Sequence, residues 1–207
     1  PTFIYRLSVE DVARRLLEEG SGRRVALMFN TVRRCEEAFN KLADEFRRKG
    51  LEPLLLHGRM TAAARRRVLE KLGGMDDVAL FSTQVVEAGV DVDFETLISE
   101  AAPPHALIQR AGRVARRGAK AEGVYSIHIA LGSELEKGVT EMCRGVYDVE
   151  ATVGALRFMD SHAVKEDGNV VKRLRLNWRL PLNGSLKEDG VLDYLRLLLE
   201  VEEPRIK

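Results

Sequence analysis

The sequence predicts an α/β fold, a parallel sheet with crossover helices on both faces. Three observations predict it. Short apolar runs recur along the first 130 residues, at Val25–Phe29, Leu54–His57, Val78–Phe81 and Thr96–Ser99. Stretches of helical periodicity separate them. Val78–Phe81 is continuously apolar, as expected of a strand buried on both faces. Strands alternating with helices close into a parallel sheet through right-handed crossovers.

Each element has a local cause. Ser8-Val9-Glu10-Asp11 resembles a capping box, so a helix starts near Val9 and runs to Gly20. Val25–Phe29 is a strand. Asn30 or Thr31 caps the next helix, whose apolar stripe is Val32, Cys35, Ala38, Phe39, Leu42, Ala43 and Phe46. Gly50 ends it. Leu54–His57 is a strand, and Thr61 caps a helix bearing Val68, Leu69 and Leu72. Val78–Phe81 and Thr96–Ser99 are strands. Pro103-Pro104 marks a turn before a short helix, and Val124–Ala130 reads as a final strand. After about Gly132 the pattern changes. Val139–Met159 reads as one long helix, Val170–Trp178 as a strand and Asp193–Val201 as an amphipathic helix. The expected organisation is a lobe over 1–131 and a mixed, mainly helical C-terminal extension over 132–207 packed on it. Trp178 is expected in a core or interface, since aromatics mostly bury.

Composition bounds the partners. The chain has 207 residues, enough for one domain and an appendage, and 45% are apolar, enough for a real core. Charged residues make up 31%, yet the formal net charge is only +1, so local patches decide what binds. Cys35 and Cys143 are far apart and lack metal-ligand spacing, as in a reduced cytoplasmic protein. The histidines at 57, 105, 128 and 162 do not cluster, and none is followed by Asp, so no histidine–aspartate nuclease site is expected here. No apolar run reaches membrane-spanning length and no signal peptide is visible, so no membrane partner is expected. The chain opens at Pro1 without an initiator Met, as a piece of something longer would.

The chemistry concentrates in Gln109-Arg110-Ala111-Gly112-Arg113-Val114-Ala115-Arg116-Arg117-Gly118, which holds no acid. Arginines at 110, 113 and 116 share one side of a helical turn. Their forked, permanent charges suit phosphate oxygens. A polyphosphate site, a nucleic-acid backbone contact and a basic surface helix all fit this string alone. Upstream, the strand Val78–Phe81 runs into Ser82-Thr83. Ligands of open α/β sheets bind outside the carboxyl ends of the strands. Gly89 permits a turn closed to most residues. Asp91 is a short acceptor able to bond a ribose hydroxyl, or to stabilise a turn.

Together, Ser82-Thr83-Gln84-Val85-Val86-Glu87-Ala88-Gly89-Val90-Asp91 and Gln109-Arg110-Ala111-Gly112-Arg113-Val114-Ala115-Arg116 resemble the fifth and sixth motifs of superfamily 2 helicases. Glu87 to Phe94 and Ser99 to Pro103, leading into Leu107 to Val114, look most like the helicase part of the CRISPR-associated helicase–nuclease of type I systems. The resemblance covers roughly residues 20 to 130. DEAD-box RNA helicases fit less well: their sixth motif usually opens with His where this chain has Gln109, and their fifth usually has Arg at Ala88.

The resemblance implies a RecA-like second helicase lobe that works with ATP and Mg2+ held mainly by a first lobe. Within these residues there is no Gly-x-x-x-x-Gly-Lys-Ser/Thr loop, and Gly20-Ser21-Gly22 lacks the spacing and the lysine. Arg113 and Arg116 would be arginine fingers, with Gln109 orienting the phosphate or the attacking water. Gly89 and Asp91 would contact nucleotide; Arg110 is a candidate for the same contact but fits an internal ion pair with Asp91 or Glu87 better. Thr83, Asn30, Thr31, His57 and Arg59 follow strands on one sheet edge, where they suit single-stranded DNA backbone. Arg65-Arg66-Arg67 extend that track or are a solvated helix face, and His57 is equally a structural hydrogen-bonder.

The implied whole is an ATP-dependent single-stranded DNA translocase moving 3′ toward 5′. It would be recruited by a crRNA-guided surveillance complex, with a histidine–aspartate nuclease as a domain or subunit. A non-enzymatic nucleic-acid-binding or docking module of the same fold, and a superfamily 2 helicase acting on RNA, are the alternatives.

Overall fold

The computed structural model describes residues 1–20, 22–86, 92–114, 125–166 and 171–174. One sheet organises them, in the order β3-β4-β2-β5-β6-β1-β8-β7. Its parallel part is β3 (Glu52–Leu56), β4 (Val78–Ser82), β2 (Arg24–Met28), β5 (Thr96–Glu100), β6 (Ser126–Ala130) and β1 (Thr2–Tyr5). The antiparallel hairpin β7 (Val164–Glu166) and β8 (Val171–Leu174) is added beside β1.

Strand alternation divides the core by face. Val25, Leu27, Ala79, Phe81 and Ile98 point to one face with α1 (Val9–Glu19) and α2 (Val32–Arg48). Ala26, Met28, Leu54, Leu56, Val78, Leu80 and Leu97 point to the other, under α3 (Ala62–Gly74). Further along, that second face is covered by α4 (Pro104–Ala111), α5 (Leu135–Cys143) and α6 (Val149–Ser161). Fully burying one such large apolar side chain is worth about 1.5–3 kcal/mol.

The caps read from sequence are in place. The Ser8 hydroxyl accepts from the Asp11 amide, Thr31 from Arg34 and Thr61 from Ala64. Three elements differ from expectation: β1, β7, which no strand of the sequence reading covers, and the helix expected after β6. β1 has no counterpart in the sequence reading; it is a strand because it pairs in parallel with β6 and antiparallel with β8. The long helix expected over 139–159 is two helices. Gly145, at φ 77°, takes the left-handed conformation that glycine tolerates and turns the chain after α5. Asp148 then caps α6 by accepting from the Ala151 amide at 2.7 Å. α5 also lies close over the loop after β6, where a Cβ on Gly138 would collide with the Leu131 carbonyl.

The core runs across residue 131. Ile4 of β1, Leu107 of α4, Val139 and Met142 of α5, and Leu156 and Met159 of α6 form one buried cluster. The strand expected over 170–178 is described as β8 over Val171–Leu174, while Trp178 and the helix expected at 193–201 lie outside the described residues. No described helix is long and apolar enough to cross a membrane.

Candidate functional site

Parallel register brings the carboxyl ends of five strands to one edge. Met28 and Leu56 both pair with Ser82, Met28 also with Ser99, and Glu100 with Ala130. The segments leaving this edge carry Asn30-Thr31, His57-Gly58-Arg59, Thr83 and, after β5, helix α4. Asn30, Thr31, His57, Arg59 and Thr83 are therefore neighbours in space, and the Arg110 side chain reaches Asn30 from α4, 80 residues further along the chain.

They differ in exposure, and exposure separates their roles. Gln109 is the exposed residue in the last turn of α4, whose neighbours Ile108, Arg110 and Ala111 are buried. Arg113 follows the helix end at Gly112 and is half-buried. Its carbonyl accepts from the Phe94 amide at 2.9 Å, and Val114 bridges in parallel to Phe94. The backbone carrying the arginine is thus clamped to the segment entering β5. Thr31 is half-buried, with its hydroxyl used as a helix cap, and Arg59 is exposed. Thr83 and His57 are buried. His57 Nε2 lies 3.2 Å from Glu36 Oε1 on the first turns of α2. Gly89, Asp91 and Arg116 lie outside the described residues, as does Glu87.

Two candidate contacts need correction on geometry. Arg110, a candidate for nucleotide contact as well as for an internal pair, is 0% exposed and is the largest fully buried side chain among the described residues. Its Nη1 donates to Ser99 Oγ at 2.8 Å and reaches the Glu100 carbonyl at 3.4 Å. Its Nη2 donates to Asn30 Oδ1 at 3.0 Å and to the Tyr147 hydroxyl at 3.3 Å. Asn30 was expected on the DNA track, yet it is 3% exposed. Its Nδ2 donates to the carbonyls of Ala101 at 2.8 Å and Met142 at 3.0 Å. Both side chains are committed to the fold, as buried polar groups must be.

Glu100 completes this buried cluster. Its carboxylate accepts from the Asn30 amide at 2.7 Å and pairs with Arg34 Nε at 3.0 Å. Burial pushes the Glu100 carboxyl up from its usual range, against the opposing pull of Arg34, the Asn30 amide and Arg110. Burial likewise pushes the Cys35 thiol up to about 12 and Cys143 up to about 11, so neither is a nucleophile. Burial holds His128 neutral, with its ring pulled down to about 3 and bonded at 2.8 Å to Tyr5 and to Ser126. Among the described residues no cluster of His, Cys, Asp and Glu could hold a metal ion.

The cluster also contains residues that sequence reasoning missed. Tyr147 lies in the turn after α5 and touches both Arg110 and Gln84. Gln84 opens a 3₁₀ turn, Gln84–Val86, directly after Thr83, and donates to the Asn30 carbonyl at 3.1 Å. No periodicity or motif marked Tyr147. Its position depends on α5 folding back over the edge.

What the end of α4 offers chemically, beside the segment entering β5, is an amide and a guanidinium, in a string from 109 to 118 that contains no carboxylate. Both groups donate hydrogen bonds, and the guanidinium adds fixed positive charge, which fits phosphate oxygens.

Residues 21–119 match the family described as the C-terminal part of the CRISPR-associated nuclease/helicase Cas3. A CRISPR-associated nuclease/helicase Cas3 of Methanothermobacter thermautotrophicus is 32% identical over 120 residues, covering 56% of this chain and 14% of that protein. The chain therefore corresponds to a small part of such relatives. The crystal structure of T. fusca Cas3 with ATP superposes with a TM-score of 0.60 at 22% identity, over 80% of this chain and 22% of that one. A chain of a CRISPR RNA-guided surveillance complex in its pre-nicking state superposes with a TM-score of 0.58 at 20% identity, over 80% of this chain and 23% of that one.

Proposed function

Because this chain carries the second RecA-like lobe of a superfamily 2 helicase, most like that of the CRISPR-associated helicase–nucleases, we propose that it completes an ATP site and a single-stranded DNA track shared with a first RecA-like lobe. The observation that carries this reading is the end of α4. There an exposed Gln109 and a half-buried Arg113 stand on a helix locked from beneath by buried Arg110. No phosphate loop occurs in the sequence, so the triphosphate and Mg2+ are held mainly by the other lobe. Bound ATP supplies the phosphoryl group that water attacks.

The residues of this chain act on charge and position. Arg113, with Arg116, places fixed positive charge against oxygens that gain charge in the transition state. Gln109 orients the phosphate or the attacking water. Gly89 lets the backbone approach the nucleotide, and Asp91 bonds the ribose. Arg110 and Asn30 hold the framework instead of touching ligand.

Thr31 and Arg59 hold the strand by its backbone, with the buried Thr83 and His57 beside them. The N-termini of α2 and α3 open at the same edge, at the Thr31 and Thr61 caps, and favour phosphate. Opening and closing of the two lobes then steps the strand, because its affinity differs between the two states. The work is cytoplasmic. It follows recruitment by a crRNA-guided complex, with a histidine–aspartate nuclease supplied as another domain or subunit.

The substrate is tested in the two-lobe protein. ATP turnover is measured with single-stranded DNA and with single-stranded RNA of equal length, at equal salt, since backbone binding is salt-dependent. DNA stimulates turnover several-fold more than RNA does. Equal or greater stimulation by RNA would move the protein to the RNA-directed helicases and remove the CRISPR role.

A further inference from the structure

We propose that Tyr147 is a positioning residue that couples the strand-binding edge of this lobe to its nucleotide-facing helix, an inference that rests on the function proposed above. Its hydroxyl accepts from Gln84 Nε2 at 3.2 Å and from Arg110 Nη2 at 3.3 Å. A phenol has two acceptor lone pairs, so one oxygen serves both donors at once. Gln84 adjoins Thr83, on the strand side. Arg110 lies in the last turn of α4, between Gln109 and Arg113, on the phosphate side. Tyr147 joins these two segments through a single side-chain oxygen, beside Asn30, whose backbone and side-chain oxygens take the same two donors separately.

It comes from outside the helicase family match, which ends at residue 119. Several features bring it there. Left-handed Gly145 turns the chain, and the amides of Val146 and Tyr147 both return to the Cys143 carbonyl, at 2.9 and 2.8 Å. The Tyr147 ring then meets His105 of α4 edge to face, with centroids 6.1 Å apart. Residues 132 onward thereby reach the working edge through this hydroxyl, beside the Met142 carbonyl that holds Asn30.

The geometry separates coupling from folding. Without the hydroxyl, Gln84 Nε2 keeps the Asn30 carbonyl and Arg110 Nη2 keeps Asn30 Oδ1. The ring keeps its contact with His105. Tyr147→Phe therefore leaves each donor with a partner and removes only the shared acceptor. A shift of Thr83-Gln84 on strand binding would then no longer act on Arg110 through that oxygen, and the arginine helix would respond less to DNA.

The test is ATP turnover by the two-lobe protein as a function of single-stranded DNA, for wild type and Tyr147→Phe, with thermal unfolding alongside. Turnover without DNA and the KM for ATP stay within about twofold, while stimulation by DNA falls at least about fivefold, the lower end of typical coupling between sites. Full stimulation in the folded variant overturns the proposal. So does an equal loss with and without DNA, which would mean that the hydroxyl merely shapes the phosphate side. Gln84→Leu supplies an independent arm. It reproduces the loss, and the double variant is no worse than either single one. Additive losses overturn the coupling. Arg113→Ala in the same assay reports on the underlying function: if it keeps normal turnover, the proposed ATP role fails whatever Tyr147 does.

Discussion

In the two-lobe protein, Arg113→Ala lowers ATP turnover at saturating DNA by at least about tenfold, equivalent to roughly 1.4 kcal/mol of transition-state stabilisation. Arg113 is half-buried beside exposed Gln109, and its backbone is clamped to Phe94, so the side chain leaves a fixed base. A preorganised charge of this kind acts most strongly where charge develops, and arginine fingers of other nucleotide hydrolases contribute about 10³–10⁵ in rate. DNA affinity without nucleotide changes little, because the proposed strand contacts lie on other segments. Arg113→Lys rescues poorly, since an ammonium cannot present the planar fork. Arg116→Ala acts in the same direction. Near-normal turnover in both alanine variants excludes the finger role.

Arg110→Ala has a different signature. Burial, not ligand contact, sets its effect. The substitution removes the donors that satisfy Ser99 Oγ, Asn30 Oδ1 and one lone pair of Tyr147. It also takes a favourable charge from the neighbourhood of buried Glu100, leaving Arg34 as its ion-pair partner among the described contacts. Removing one member of a buried charged network costs about 3–5 kcal/mol. Urea unfolding of the protein should show a loss of about that size, and Arg110→Lys should recover little of it, because one ammonium cannot span all of these oxygens. A loss below about 0.5 kcal/mol, as at ordinary surface sites, would return Arg110 to the ligand-contacting residues.

The legible parts of this fold are those with local causes. Ser8, Thr31 and Thr61 announced three helices because a capping hydroxyl acts on an amide three residues on. Val78–Phe81 announced a central strand because β4 is apolar on both faces. β1 was not legible. Four residues at the chain start carry no turn or period, and their strand exists through pairing with β6, more than 120 residues away. The break between α5 and α6 had a local sign in Gly145 and Asp148, outweighed by the helical spacing on either side.

The site was legible in place but not in depth. Parallel topology puts Asn30, His57 and Thr83 on one edge, which follows from strand order alone. Residue type does not say whether an asparagine or arginine at that edge faces solvent. Asn30 and Arg110 turn inward because α5 and the turn after it cover them and supply the Met142 carbonyl and the Tyr147 hydroxyl. That covering element lies beyond the helicase strings and carries no motif of its own.

The central claim is that this lobe completes an ATP site without containing one. Its most direct test is ATP hydrolysis by the purified 207-residue chain, alone and joined to a first RecA-like lobe bearing a phosphate loop, each with single-stranded DNA and Mg2+. The chain alone shows no turnover above background, and the joined protein shows DNA-stimulated turnover that Arg113→Ala suppresses. Robust turnover by the isolated chain, itself abolished by Arg113→Ala, would contradict the claim.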